Sequence, residues 1–103
     1  MRVDLRQMAQ GARENSDRWF PGVTPSRSLF ALGLAGECGE VANVITKMQR
    51  DGDSPELDRA LATEMADVLT YLLLLANECG VDLLEEYRAK VVANATRWSE
   101  WGR

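Results

Sequence analysis

The sequence predicts an all-α protein built from four helices, and three observations predict it. Apolar residues recur at three- and four-residue intervals over long stretches, no strand-length segment alternates apolar with polar residues, and strong turn signals interrupt the 103 residues at only three places. The first helix is expected over about residues 3–18, where Val3, Leu5, Met8, Ala9 and Ala12 keep loosely helical spacing. It breaks at Phe20-Pro21-Gly22. Thr24-Pro25 then reads as an N-cap with proline at the first helical position. From there Leu29, Leu32, Gly36, Glu40, Val44 and Lys47 recur along one stripe of a second helix, to about residue 49. The loop Asp51-Gly52-Asp53 leads to Ser54-Pro55, a second cap-and-proline signal, and opens a third helix over residues 55–79 that Gly80 should close. Asp82, followed by Glu85 three residues later, resembles a capping box for the fourth helix, which carries Leu84, Tyr87, Val91, Ala95 and Trp98 on one face. The short connections predict antiparallel packing in a four-helix bundle.

A chain of this length makes one domain, residues 1–103, and its 46% hydrophobic and 27% charged residues are those of a soluble globular protein. Sixteen acidic against twelve basic residues leave a formal charge of −4, which argues against binding to a nucleic-acid polymer. There is no histidine, so Ser–His–Asp triads, Cys–His dyads and histidine-ligated zinc are excluded. Two cysteines, Cys38 and Cys79, are too few for a disulfide scaffold and read as two buried thiols in a reducing compartment. The amino-terminal residues lack the apolar core of a secretion signal, and the longest apolar run, residues 71–76, is far shorter than the ~20 residues that span a bilayer. A cytoplasmic protein without a membrane partner is expected. Residues 68–76 (VLTYLLLLA) are apolar nearly all the way round, and such a helix must be covered on every side. Three neighbouring helices in so small a chain barely suffice, which predicts a homo-oligomer with the third helix at a shared interface.

Two acidic pairs stand out. Glu37 and Glu40 are three residues apart, as are Glu64 and Asp67, so each pair projects two carboxylates from one helix face. Acidic pairs on helices are ordinarily solvated surface. These two, however, lie within Leu32-Gly33-Leu34-Ala35-Gly36 and Val41-Ala42 on one side, and within Ala60-Leu61-Ala62 and Val68-Leu69 on the other. Partly desolvated like charges are unfavourable unless they bind a cation or take up protons. Carboxylates without histidine or thiolate partners suit hard cations, with magnesium or manganese favoured over zinc. Gly36 and Gly39 weaken a helix interior and point either to close helix approach or to room for a ligand.

The pattern Glu37-x-x-Glu40, 23 residues, Glu64-x-x-Asp67 resembles that of the MazG-like all-α nucleoside triphosphate pyrophosphohydrolases. The likeness extends to the Gly36-Glu37-Cys38-Gly39-Glu40-Val41 segment, to Glu64-Met65-Ala66-Asp67-Val68-Leu69-Thr70-Tyr71, to Gly80-Val81-Asp82-Leu83 and to Lys90-x-x-x-Asn94-x-x-Arg97. The resemblance implies hydrolysis of a nucleoside triphosphate between its α- and β-phosphates, releasing pyrophosphate. It also implies that Glu37, Glu40, Glu64 and Asp67 are the catalytic metal ligands for Mg2+, with Mn2+ as a substitute, and that a dimer at least, or a tetramer, is the working form.

For the substrate, the resemblance makes Lys90, Asn94 and Arg97 a phosphate-binding stripe on the last helix. Solvated surface is the alternative for Lys90 and Arg97. Tyr71, one turn after Asp67, reads either as a phosphate donor or as a core tyrosine. Lys47 is a weaker substrate candidate, since a surface lysine fits its position equally. Trp19, with Phe20, offers a stacking surface for the base or else plain packing, whereas Trp98 and Trp101 read as packing or interface residues. Members of the family that prefer dUTP carry an extra acidic residue directly before the first glutamate. Gly36 stands there instead, which fits relatives acting on dCTP, dATP or modified deoxynucleotides. The competing readings are a phosphoribosyl-ATP pyrophosphatase-like enzyme and a non-catalytic helical oligomerisation or binding module.

Overall fold

The computed structural model describes residues 3–101, with side chains through residue 98. Its elements are four α-helices: α1 (Leu5–Trp19), α2 (Arg27–Asp51), α3 (Pro55–Cys79) and α4 (Leu83–Trp101), with no strand among the described residues. The all-α expectation holds.

Each helix begins where a side chain can satisfy its orphan amide groups. Asp4 caps α1 through a reciprocal box with Gln7: the Gln7 amide donates to Asp4 Oδ1 (3.0 Å), and the Asp4 amide donates to Gln7 Oε1 (2.9 Å). Helix α2 is capped by Ser26, whose hydroxyl accepts from the Leu29 amide at 3.0 Å. The start expected at Thr24-Pro25 is thus displaced by two residues, because Pro25 and Ser26 remain outside the helix. Ser54 caps α3 as expected, with Pro55 in its first turn, and Gly80 ends the helix in the left-handed conformation (φ 68°), where glycine has no side-chain penalty. Only half of the expected capping box opens α4. The Glu85 amide donates to Asp82 Oδ1 (3.2 Å), but the Glu85 carboxylate, which the other half would use, faces Arg6 at 3.7 Å.

Helices α2 and α3 are joined by three residues, so they run antiparallel and pack along much of their length. The covered stripe on α2 comprises Phe30, Gly33, Leu34, Glu37, Val41, Val44 and Met48, at three- and four-residue spacing. This corrects the sequence reading. Of the stripe Leu29, Leu32, Gly36, Glu40, Val44 and Lys47, only Val44 is covered, and Leu32 is 74% exposed. Helix α1 lies on α3, and α4 packs chiefly on α1. Ion pairs fasten α1 to its neighbours: Arg13 to Glu78 on α3 (2.7 Å), and Arg6 to Asp82 (2.6 Å) and Glu85 (3.7 Å) at the start of α4.

The four helices do not close into a dense bundle within one chain. Among the described residues the buried apolar side chains are Phe30, Val44, Leu73, Leu74 and Ala76. Tyr87, Val91 and Trp98, expected on an apolar face of α4, are exposed. Cys38 is exposed and Cys79 half-buried, which corrects the expectation of two buried thiols: Cys38 sits one residue, about 100° of helix, away from the covered stripe. By length and composition α2 and α3 are both apolar enough to cross a membrane. Glu37, Glu40, Glu64 and Asp67 interrupt them midway, where hydrocarbon penalises charge by several kcal/mol, at roughly 2.5–3.5 per group.

Candidate metal centre

In an antiparallel helix pair, residues at successive turns of the two seams meet in layers. Phe30 on α2 and Leu73 and Leu74 on α3 form the buried layer near one end of the pair. Gly33 meets Tyr71 one layer on. The following layer brings Glu37 to Glu64 and Asp67. The 3–4 seam spacing that elsewhere supplies valine and leucine here supplies carboxylates.

One oxygen from each of Glu37, Glu64 and Asp67 lies within 4.8 Å of the other two, and all three residues are half-buried. Glu37 Oε2 is enclosed and has no hydrogen-bond partner. Among the described residues the five ion-paired contacts use other acids: Asp17, Asp51, Glu78, Asp82 and Glu85. The cluster therefore carries negative charge that no side-chain cation neutralises. Its effect falls on Glu37, whose pKa is pushed up to about 7. The first cause is proton sharing with the Glu64 carboxylate, followed by desolvation and then by the charges of Glu64, Asp67 and Glu40.

Two occupants relieve such a cluster, a proton or a hard cation. The donor set fits a divalent ion with oxygen ligands: three carboxylates, no nitrogen or sulfur, and an enclosed oxygen facing no donor. Glu40 is exposed and stands outside the three-oxygen cluster, near enough for its charge to reach Glu37. Three residues along a helix turn it 60° from Glu37, away from the seam.

The remaining sequence candidates are dispersed. Tyr71 is half-buried, its ring laid over Gly33. Lys90, Asn94 and Arg97 share one side of α4, which packs chiefly on α1 and not on the carboxylate seam. Arg97 stacks on the Trp98 ring with 5.9 Å to its centroid. Trp19 is exposed at the end of α1, next to exposed Phe20. Lys47 is an exposed residue about 15 Å along α2 from Glu37 and acts on Asp51. The Trp101 side chain lies outside the described residues. Gly36 and Gly39 are not sites of close helix approach, since a Cβ at either would meet nothing within 4 Å. That role belongs to Gly33, which the sequence reading did not single out. Its signal was a small residue one turn before a seam glutamate, opposite a tyrosine one turn after a seam aspartate.

The model of the MazG nucleotide pyrophosphohydrolase domain matches residues 26–93, a span that contains all four carboxylates. Human dCTP pyrophosphatase 1 is 38% identical over 102 residues, and the mouse protein of that name 34% over 101, each covering 92% of this chain. The chain spans 57% of the length of those proteins. The gene 37 protein of Mycobacterium phage L5 is 35% identical over 89 residues, covering 79% of this chain and 75% of the phage protein.

Proposed function

The chain belongs to the MazG nucleotide pyrophosphohydrolase family, and from that premise we propose that it hydrolyses a deoxynucleoside triphosphate, with dCTP first among candidates, to the monophosphate and pyrophosphate. The observation that carries this reading is the layer of Glu37, Glu64 and Asp67 across the α2–α3 seam, with an enclosed carboxylate oxygen facing no donor. The dCTP preference is supported by the name of the human and mouse relatives and by Gly36 where dUTP-preferring members have an acid.

Glu37, Glu64 and Asp67 hold Mg2+, with Glu40 joining from the adjacent turn; Mn2+ substitutes. When bound, the divalent ions supply charge neutralisation for the triphosphate and Lewis-acid activation of water. A carboxylate of the cluster left without metal would orient the attacking water and take its proton. Lys90 and Arg97 neutralise phosphate oxygens, Asn94 donates an amide hydrogen bond, and the aromatic surface at Trp19 stacks on the base. Because α4 lies away from the carboxylate seam of its own chain, these groups come to the substrate in an assembly of at least two copies, in the cytoplasm where nucleotide pools are.

The test is pyrophosphate release from a panel of canonical and modified NTPs and dNTPs, with Mg2+ and with EDTA. Metal-dependent release of pyrophosphate and monophosphate from dCTP supports the reading. Silence across the panel from a folded protein overturns it in favour of a binding module.

A further inference from the structure

Gly33 stands one turn before Glu37 on α2, and Tyr71 one turn after Asp67 on α3. A Cβ built at Gly33 would lie 2.5 Å from Tyr71 Cδ1 and 2.7 Å from Cζ, and nearer still to Cε1. These atoms form one edge of a stiff ring. The ring therefore occupies the space that any side chain at position 33 would need. No other helical glycine among those described behaves this way: Gly11, Gly36 and Gly39 have open space where a Cβ would go.

The layer on the other side of the ring is apolar and buried, with Phe30 and Leu74 at 3% and 5% exposure. The layer on its near side carries three carboxyl groups, Glu37 from α2 and Glu64 and Asp67 from α3, with their oxygens within 4.8 Å of one another. Between them, a broad flat ring on bare backbone gives the closest approach of the two helices that a large side chain permits. We infer that Gly33 and Tyr71 form a positioning pair that sets the separation of the carboxylate layer, so that Glu37 reaches across to Glu64 and Asp67. Tyr71 acts through its ring against Gly33 and not through its hydroxyl. A methyl group at position 33 must tilt the ring or part the helices, and either change is passed one turn along to oxygens that a single ion has to gather. A Mg2+- or Mn2+-type site is sensitive to such a change, because its ligands sit at about 2.0–2.2 Å in near-octahedral geometry.

This inference rests on the reading that the carboxylates hold a divalent cation. Its test is therefore Mn2+ binding followed by electron paramagnetic resonance of the free ion, with circular dichroism for helix content, on the full chain. Gly33→Ala is expected to weaken Mn2+ binding by about tenfold or more with helix content kept. Tyr71→Phe, which keeps the ring, should bind within about twofold of the native chain, and so should Gly36→Ala, whose methyl meets nothing. Tyr71→Leu, which removes the ring edge, should weaken binding in native background and restore part of what Gly33→Ala loses. Should Gly33→Ala not fold, Tyr71→Leu alone decides. Native affinity in Gly33→Ala or in Tyr71→Leu overturns the inference, as does a loss in Tyr71→Phe equal to that of Gly33→Ala. A native chain that binds no Mn2+ overturns the functional reading first, and this inference with it.

Discussion

At Glu37 two demands conflict: the side chain fills a seam position between two helices, yet carries a charge beside two others of the same sign. The fold resolves the conflict by raising the proton affinity of Glu37 to about 7, from the usual 4.5. A carboxyl that holds its proton more tightly folded than unfolded stabilises the fold fully below pH 4.5, and that contribution is lost as pH rises to about 7. In chelator, the melting temperature should therefore fall between pH 4.5 and 7, and Mg2+ should abolish the fall. A melting temperature independent of pH across that window would contradict this account of Glu37. Glu64 is the leading cause of the shift, so Glu64→Gln should flatten the metal-free profile and leave the fold as stable or more so. With Glu64 as a ligand, as proposed, the same change should reduce turnover on the order of a hundredfold or more. Steady-state pyrophosphate release checks this, and an unchanged rate would remove Glu64 from the metal site. The pairing of acids at i and i+3 in apolar surroundings was legible from the residues. That Glu40 would turn outward was not, because periodicity does not say which of two acids three residues apart lies nearer the centre of the seam.

The helices show where local signals suffice and where they fail. Ser54-Pro55 and Gly80 located both ends of α3 because cap and breaker are each satisfied within a few residues. At α2 the same logic chose Thr24-Pro25, one signal too early in Thr24-Pro25-Ser26, since a proline at the first helical position is only one of the conformations its ring allows. Asp4 and Gln7, a complete capping box in the structure, were not read from the sequence. These assignments differ measurably. Ser26→Ala and Ser54→Ala should each cost about 1 kcal/mol in urea unfolding, and Thr24→Ala only a few tenths. An equal loss in Thr24→Ala and Ser26→Ala would return the cap to the earlier residue. The displaced stripe on α2 has a different cause. Leucine, isoleucine and valine occur around much of α2, so more than one stripe satisfies a three–four repeat, and only the partner helix selects between them.

For the whole molecule, the selection left a surplus. The chain exposes 7725 Å², about 1,900 Å² more than a compact protein of 11.5 kDa, and its radius of gyration is 16.8 Å where about 13 Å is usual for this length. Among the described residues only five apolar side chains are buried, while Leu32, Met65, Val92 and Trp98 are each more than half exposed. The apolar stripe absent from the α2–α3 seam and the exposed Tyr87, Val91 and Trp98 of α4 are two parts of the same surplus. If each of two copies removed that excess from water, the interface would fall among those of obligate homodimers, at 2,000–5,000 Å². Assembly would also bring an α4 polar stripe to a carboxylate seam that α4 of the same chain does not pack on. The expected sedimentation mass is therefore a multiple of 11.5 kDa, with no monomer at micromolar concentration. Leu32 is 74% exposed, so Leu32→Asp costs a lone chain little, whereas at an interface it buries an unpaired charge. Leu32→Asp should shift the mass downward and lower pyrophosphate release together, with helix content kept at permissive temperature. A native chain that sediments at 11.5 kDa and is fully active would mean that one copy suffices, and that α4 must swing onto the seam of its own chain.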